Sequence, residues 1–257
     1  MELTFIGTGA ADWDWRNMPP GTLGSSATLL GKSCLIDAGP TVVHFLDTFG
    51  VKLSQIAHVV ITHSHSDHFQ PSAIAAIAKA RRGKLTVWAS PQALAALQEL
   101  PCVRKTVLPG MSFKCGRLTF TALPSNHQTS FPEEQNLNYI VQSGGKAFLY
   151  ALDGAWMLAK AKSLLAKALG ERTLDAIVWD ATCGPTLNDW RFAEHNDLAM
   201  IVAMRKSMLG AKLVSPSTKH VFDHLARTLW PADAATRAAI AVEYGGILAE
   251  DGQTLRL

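Results

Sequence analysis

Three histidines and one aspartate fall within six consecutive residues, His63-Ser64-His65-Ser66-Asp67-His68. The apolar run Val59-Val60-Ile61-Thr62 stands just before them and reads as a buried strand. A strand that empties into such a loop delivers several ligand side chains to one place. The small spacers Ser64 and Ser66 let the backbone turn tightly enough for the four side chains to face a common point. Imidazole and carboxylate together suit zinc, manganese or iron. The plainer account is a polar turn that is merely rich in histidine. The strand before it and the alanine-rich helix Ser72–Arg82 after it, with Pro71 at its start, argue for a built site.

The rest of the 257-residue chain supplies further strands and helices, with no repeat or long linker, so one domain over 1–257 is expected. Leu3–Ile6, Ala27–Leu30 and Cys34–Asp37 read as early strands. Leu85–Ala89, Leu118–Leu123, Leu137–Gln142, Ala147–Leu152, Ile177–Trp179 and Lys212–Ser215 read as later ones. Helices are expected over Thr41–Phe49, Pro91–Leu100, Ala155–Leu169, Phe192–Met208, Val221–Leu229 and Ala232–Val242. A closing hairpin is expected from Ile247–Ala249 and Thr254–Leu257 over Asp251-Gly252. Early hairpins followed by strand–helix alternation predict an α/β protein with two mixed sheets covered by helices, not a doubly wound parallel sheet.

The formal net charge of +3 is a mild excess that suits an anionic small molecule. No basic run exceeds the two residues of Arg81-Arg82, so no stripe for tracking an extended nucleic acid is seen. The four cysteines form no C-x-x-C pair and do not read as a disulfide framework. The start MELTFIGTGA lacks a basic segment followed by an apolar run, and no apolar stretch is long enough for a bilayer. A cytoplasmic protein without membrane partners is expected; a homodimer stays open. Gly7 and Gly9 form a turn, not a dinucleotide fingerprint, because the third glycine is missing.

The segment H-x-H-x-D-H after an apolar strand resembles the first metal motif of the metallo-β-lactamase superfamily. The later motifs follow in order, so the resemblance spans essentially the whole chain. It implies a four-layer αββα sandwich, two mixed sheets flanked by helices, and two divalent transition metals, with zinc first and manganese or iron as alternatives. It assigns His63 and His65 to one metal and Asp67 and His68 to the other. His127 follows the strand Thr119–Leu123 and fits the next ligand. Asp153, before Gly154 at a strand end, fits the carboxylate between the metals. His220 fits the last ligand, with His224 as the competitor four residues on; Ser217 stands where relatives carry another histidine. Asp37 resembles the aspartate that orients a ligand histidine.

Among branches of the superfamily, the chain looks most like the compact phosphodiesterases, the carbon–phosphorus-lyase-pathway cyclic phosphodiesterase and ribonuclease-Z-like proteins. The resemblance implies hydrolysis of small or cyclic phosphodiesters by a hydroxide shared between two metals. That branch carries an extra histidine before the last ligand, and His195 offers it. His195 and Asp67 are the candidate catalytic side chains; Asp180 is placed as in these relatives without an assigned role. Trp13, Trp15 and Arg16 could meet a base and a phosphate, or simply pack on the sheet edge. Rival readings are a lactonase or other ester hydrolase on the same site, and a non-hydrolytic cofactor-pathway carrier of this fold.

Overall fold

Short apolar runs bounded by glycine, proline and aspartate dictate many short strands, and the computed structural model, which describes residues 1–257, has them. In chain order they are β1 (Glu2–Gly7), β2 (Ala27–Leu30), β3 (Cys34–Ile36), β4 (His58–Val60), β5 (Thr86–Ala89), β6 (Val103–Thr106), β7 (Ser112–Cys115), β8 (Leu118–Pro124), β9 (Leu137–Ser143), β10 (Lys146–Ala151), β11 (Leu174–Asp180), β12 (Val214–Asp223), β13 (Ile247–Leu248) and β14 (Thr254–Arg256). The helices are α1 (Val42–Thr48), α2 (Pro71–Ala80), α3 (Pro91–Ala95), α4 (Ala159–Leu169), α5 (Leu198–Gly210) and α6 (Ala234–Glu243). The chain forms two compact units. One holds Met1–Leu108, Thr129–Gln135 and Glu250–Arg256; the other holds Pro109–Gln128 and Asn136–Ala249.

The first unit is built on a seven-stranded sheet in the order β14-β1-β2-β3-β4-β5-β6. Its hairpin half is antiparallel, and β3 to β6 run parallel. Leu35 and Val59 share one buried cluster with Val42 and Leu46 of α1, Ile74 and Ile77 of α2 and Leu94 of α3. Parallel strands are buried on both faces, which explains the unbroken apolar reading of β4. All four residues of β6 are exposed, and Arg104 and Lys105 blunt this sheet edge.

The second unit repeats the plan, with the order β13-β12-β11-β10-β9-β8-β7, antiparallel from β7 to β10 and parallel from β10 to β13. The protein is thus α/β with two mixed sheets flanked by helices, the fold class the sequence implied. In each unit the chemistry-bearing residues leave the carboxyl ends of parallel strands, where such sheets place their sites. Asp37 and His63 follow β3 and β4, while Asp180 ends β11 and His224 follows β12.

Four expectations need correction. The helix over Val221–Leu229 does not exist, because β12 continues to Asp223. The strand swallows Pro216 and Ser217 in a register shift: Leu174 pairs with Val214, but Ala176 pairs with Lys219. Proline and a run of turn residues are tolerated at such a bulge. The helix expected from Phe192 starts only at Leu198, where the Asp197 side chain accepts the Met200 N–H at 2.7 Å and caps it. Helix α4 starts at Ala159, not Ala155. The closing hairpin is absent: β13 adds in parallel to β12, and β14 pairs with β1. The Asp251 carboxylate explains the turn between them, since it accepts from Thr8 Oγ1 and Gly24 N at 2.7 Å each.

Candidate metal centre

In the first unit, β4 hands the chain to Thr62 and the histidine loop. Asp37, at 0% exposure, collects three donors there: Thr62 N at 2.8 Å, Thr62 Oγ1 at 3.0 Å and His68 Nδ1 at 2.9 Å. Its backbone sits in the left-handed region (φ 62°), a conformation asparagine and aspartate tolerate best. Burial raises the carboxyl above its ordinary pKa, and the neighbouring His68 and Thr62 contacts only partly offset this. Gly39 lets the loop close: a Cβ there would lie 1.9 Å from the Asp67 carbonyl oxygen.

These bonds also fix ring protons. The Thr62 hydroxyl gives its single hydrogen to Asp37, so its 2.9 Å contact with His63 Nδ1 requires the ring nitrogen to donate. His63 therefore turns a lone pair at Nε2 toward His65 Nδ1, 3.1 Å away. His68 spends Nδ1–H on Asp37 and turns Nε2 to Asp67 Oδ2 at 3.3 Å. Two ligands of a tetrahedral zinc stand about 3.3 Å apart, as its bond lengths of about 2.0–2.1 Å require. The donor types, spacing and second carboxylate behind the rings all fit a divalent transition metal.

In the second unit, Asp180 plays the part of Asp37. At 0% exposure, it accepts Thr182 N at 2.9 Å, Thr182 Oγ1 at 2.7 Å, His195 Nδ1 at 2.8 Å and Gly154 N at 3.1 Å. Burial would raise its pKa, but two histidines face it, and the attraction and hydrogen bond of His195 hold it below the ordinary carboxylate value. The Thr182 hydroxyl is again spent on the carboxylate, so His224 Nδ1, 2.8 Å from it, donates and leaves a lone pair at Nε2. Asp153 Oδ1 lies 3.3 Å from His195 Nδ1 and 3.5 Å from His224 Nδ1. Ligand atoms of Asp153, Asp180, His195 and His224 lie within 4.8 Å of one another. Asp153 and His224 are both left-handed (φ 49° and 60°), a conformation that costs of order 1–3 kcal/mol at a non-glycine residue and clusters at functional sites. His127 follows β8 and meets Glu194 Oε2 at 3.2 Å, with its ring against that of His195.

The structure therefore gathers His224, and leaves His220 out. Because β12 runs to Asp223, eight residues beyond the expected end at Ser215, His220 is an inner strand residue whose Nδ1 accepts the Trp179 indole N–H at 3.1 Å. Residue by residue reasoning also missed Thr62, Thr182 and Glu194; Thr182 was signalled only by standing two places after Asp180. In the proposed substrate loop, Trp15 donates its indole N–H to the Leu23 carbonyl at 2.8 Å, Trp13 covers Gly9, and Arg16 is exposed.

Comparison with known proteins gives the family and the fold. The family model described as the β-lactamase superfamily domain matches residues 33–188, and the chain belongs to that superfamily. A ribonuclease Z of Mycolicibacterium gilvum (strain PYR-GCK) is 37% identical over 68 residues, which is 26% of this chain and 23% of that protein. The match thus spans under a quarter of that relative. Zinc-bound PqqB of Methylobacterium extorquens has a similar fold, with TM-score 0.72, 18% identity and all of both chains covered. A diphosphatase of the PhnP family is equally similar, with TM-score 0.72, 17% identity, 99% of this chain and 96% of that one. No helix is long and apolar enough to cross a membrane, and no disulfide joins the four cysteines.

Proposed function

We propose that this member of the superfamily is a cytoplasmic phosphodiesterase acting on small or cyclic phosphodiesters with two divalent transition metals, zinc foremost. The proposed ligands are His63, His65, Asp67, His68, His127, Asp153 and His224, following the family order. The observation that carries the reading is His195: an imidazole fixed by a buried carboxylate, beside Asp153. The names of a ribonuclease relative and a diphosphatase neighbour both denote cleavage at phosphorus, which supports the same class.

The metals, when bound, would supply an activated water and neutralise charge on the phosphoryl oxygens. The protein's part is to position and to move protons. Asp37 and Asp180 hold His68 and His195 by Nδ1, and Thr62 and Thr182 hold His63 and His224, so that each ring presents Nε2. A departing alkoxide needs a proton, and His195 gives it from Nε2 while Asp180 stabilises the charged ring. Arg16 and the two tryptophans of the Trp13–Arg16 loop are the proposed grip on a phosphate and its base.

The test is metal analysis followed by a hydrolysis panel of linear and cyclic phosphodiesters, phosphomonoesters, lactones and a β-lactam. Two metals per chain and fastest turnover of a phosphodiester are expected. Far faster turnover of a lactone, or no turnover of any ester by the metal-loaded protein, would overturn the phosphodiesterase assignment.

A further inference from the structure

A cleft of about 650 Å³ lies within the second unit, walled by the end of α5, by β12 and by the connection from α6 to β13. The metal-site residues are not among its lining. His220 is 7% exposed and lines it. An indole N–H can only donate, so the Trp179 bond makes His220 Nδ1 the acceptor and places the ring proton on Nε2. The ring borders the cleft, and with Nδ1 spent on Trp179 its Nε2–H is the donor it can offer there. Burial, and then the nearby Arg205, press the His220 pKa down to about 4, so the ring is a neutral donor near pH 7.

Arg205 stands beside it on α5. Its Nη1 donates to the Tyr244 carbonyl at 2.7 Å, and no carboxylate pairs with it. A half-buried guanidinium without an anion is costly unless something supplies one. Lys206 adds a second positive charge, Glu243 is the single acidic residue on the walls, and Leu209 gives an apolar flank. We propose that this cleft binds a small organic oxyanion, a carboxylate or phosphate on an apolar body, between the Arg205 guanidinium and the His220 Nε2–H. Guanidinium forks match both anions, and the shape of the cleft supplies the rest.

The Trp179 indole N–H, bonded to His220, is the local reporter, and its resonance in a ¹H–¹⁵N spectrum of the full-length metal-loaded protein is identified by Trp179→Phe. Benzoate, phenyl phosphate and neutral benzyl alcohol are the probes. A saturable shift is expected with at least one anion and not with the alcohol; response to one anion alone tells carboxylate from phosphate. Arg205→Gln, on a partly exposed helix face, should weaken binding about tenfold or more, the scale of one charge-assisted bond. No saturable response to either anion, an equal response to benzyl alcohol, or unchanged affinity in Arg205→Gln overturns the site.

Discussion

His195 Nδ1 stands 2.8 Å from Asp180 Oδ2, the bond on which the proposed acid role rests. It keeps the ring from turning its other nitrogen away and favours the charged imidazolium needed for proton donation. His195→Ala should keep both metals and lose about 10²–10⁴-fold in turnover, mostly in kcat. The loss should shrink for a nitrophenyl diester, whose leaving group departs unaided. Asp180→Asn keeps the shape but loses the charge. It should lower kcat less than His195→Ala and move the acid limb of the pH–rate profile, which a purely structural role would not do. Metal loss from His195→Ala, or unchanged turnover of poor-leaving-group diesters, would refute the acid role.

The two late histidines separate cleanly. His224, with Nδ1 on Thr182, is the proposed ligand, and His220, with Nδ1 on Trp179, stands outside the cluster. His224→Ala should lose metal and activity together. His220→Ala should retain the metal stoichiometry of the parent protein. Elemental analysis of both purified variants decides the matter, and the reverse pattern would restore His220 to the ligand set.

The sequence points first to His220, which the structure leaves outside the candidate cluster. The expected end of β12 is misplaced, because Pro216-Ser217 reads as a turn when taken alone. Only pairing with β11 shows that the strand absorbs those residues in a bulge. The histidine loop is legible because its candidate ligands are adjacent in the chain. The equivalence of Asp37 and Asp180 was not, since their threonines lie 25 and 2 residues away in the chain. Hydrogen bonding repeats where spacing does not. Likewise β13 and β14 looked like one hairpin because a two-residue turn signal says nothing about which sheet each strand joins.

Gly39 tests how tightly the loop is held. An added Cβ would fall 1.9 Å from the Asp67 carbonyl and 2.6 Å from Ser25 Oγ, and a backbone carbonyl cannot rotate away like a side chain. Gly39→Ala should destabilise the fold by roughly 1–3 kcal/mol, as overpacking does, and lower metal occupancy. Denaturant midpoint and metal content measured on the same sample check both. An unchanged midpoint would mean that the loop yields freely.

Far from the site, Asp175 on β11 makes the protein's stability depend on acid pH. Lys146 Nζ lies 2.8 Å from Oδ1, and Ala147 N donates to Oδ2 at 2.9 Å. Burial alone would raise this carboxyl, but the bonds from Lys146 and Ala147 outweigh it and hold the pKa below 3.8. A carboxyl depressed on folding adds stability above its unfolded pKa and loses it as pH falls through the folded one. Asp175→Asn should therefore be less stable than the parent at pH 7, by about 0.5–1 kcal/mol for a partly exposed pair. The gap should narrow below about pH 4, where the parent carboxyl takes up its proton. Thermal unfolding of both proteins from pH 3 to pH 7 reads it directly, and a gap that stays constant across that range would show that the carboxylate charge contributes nothing.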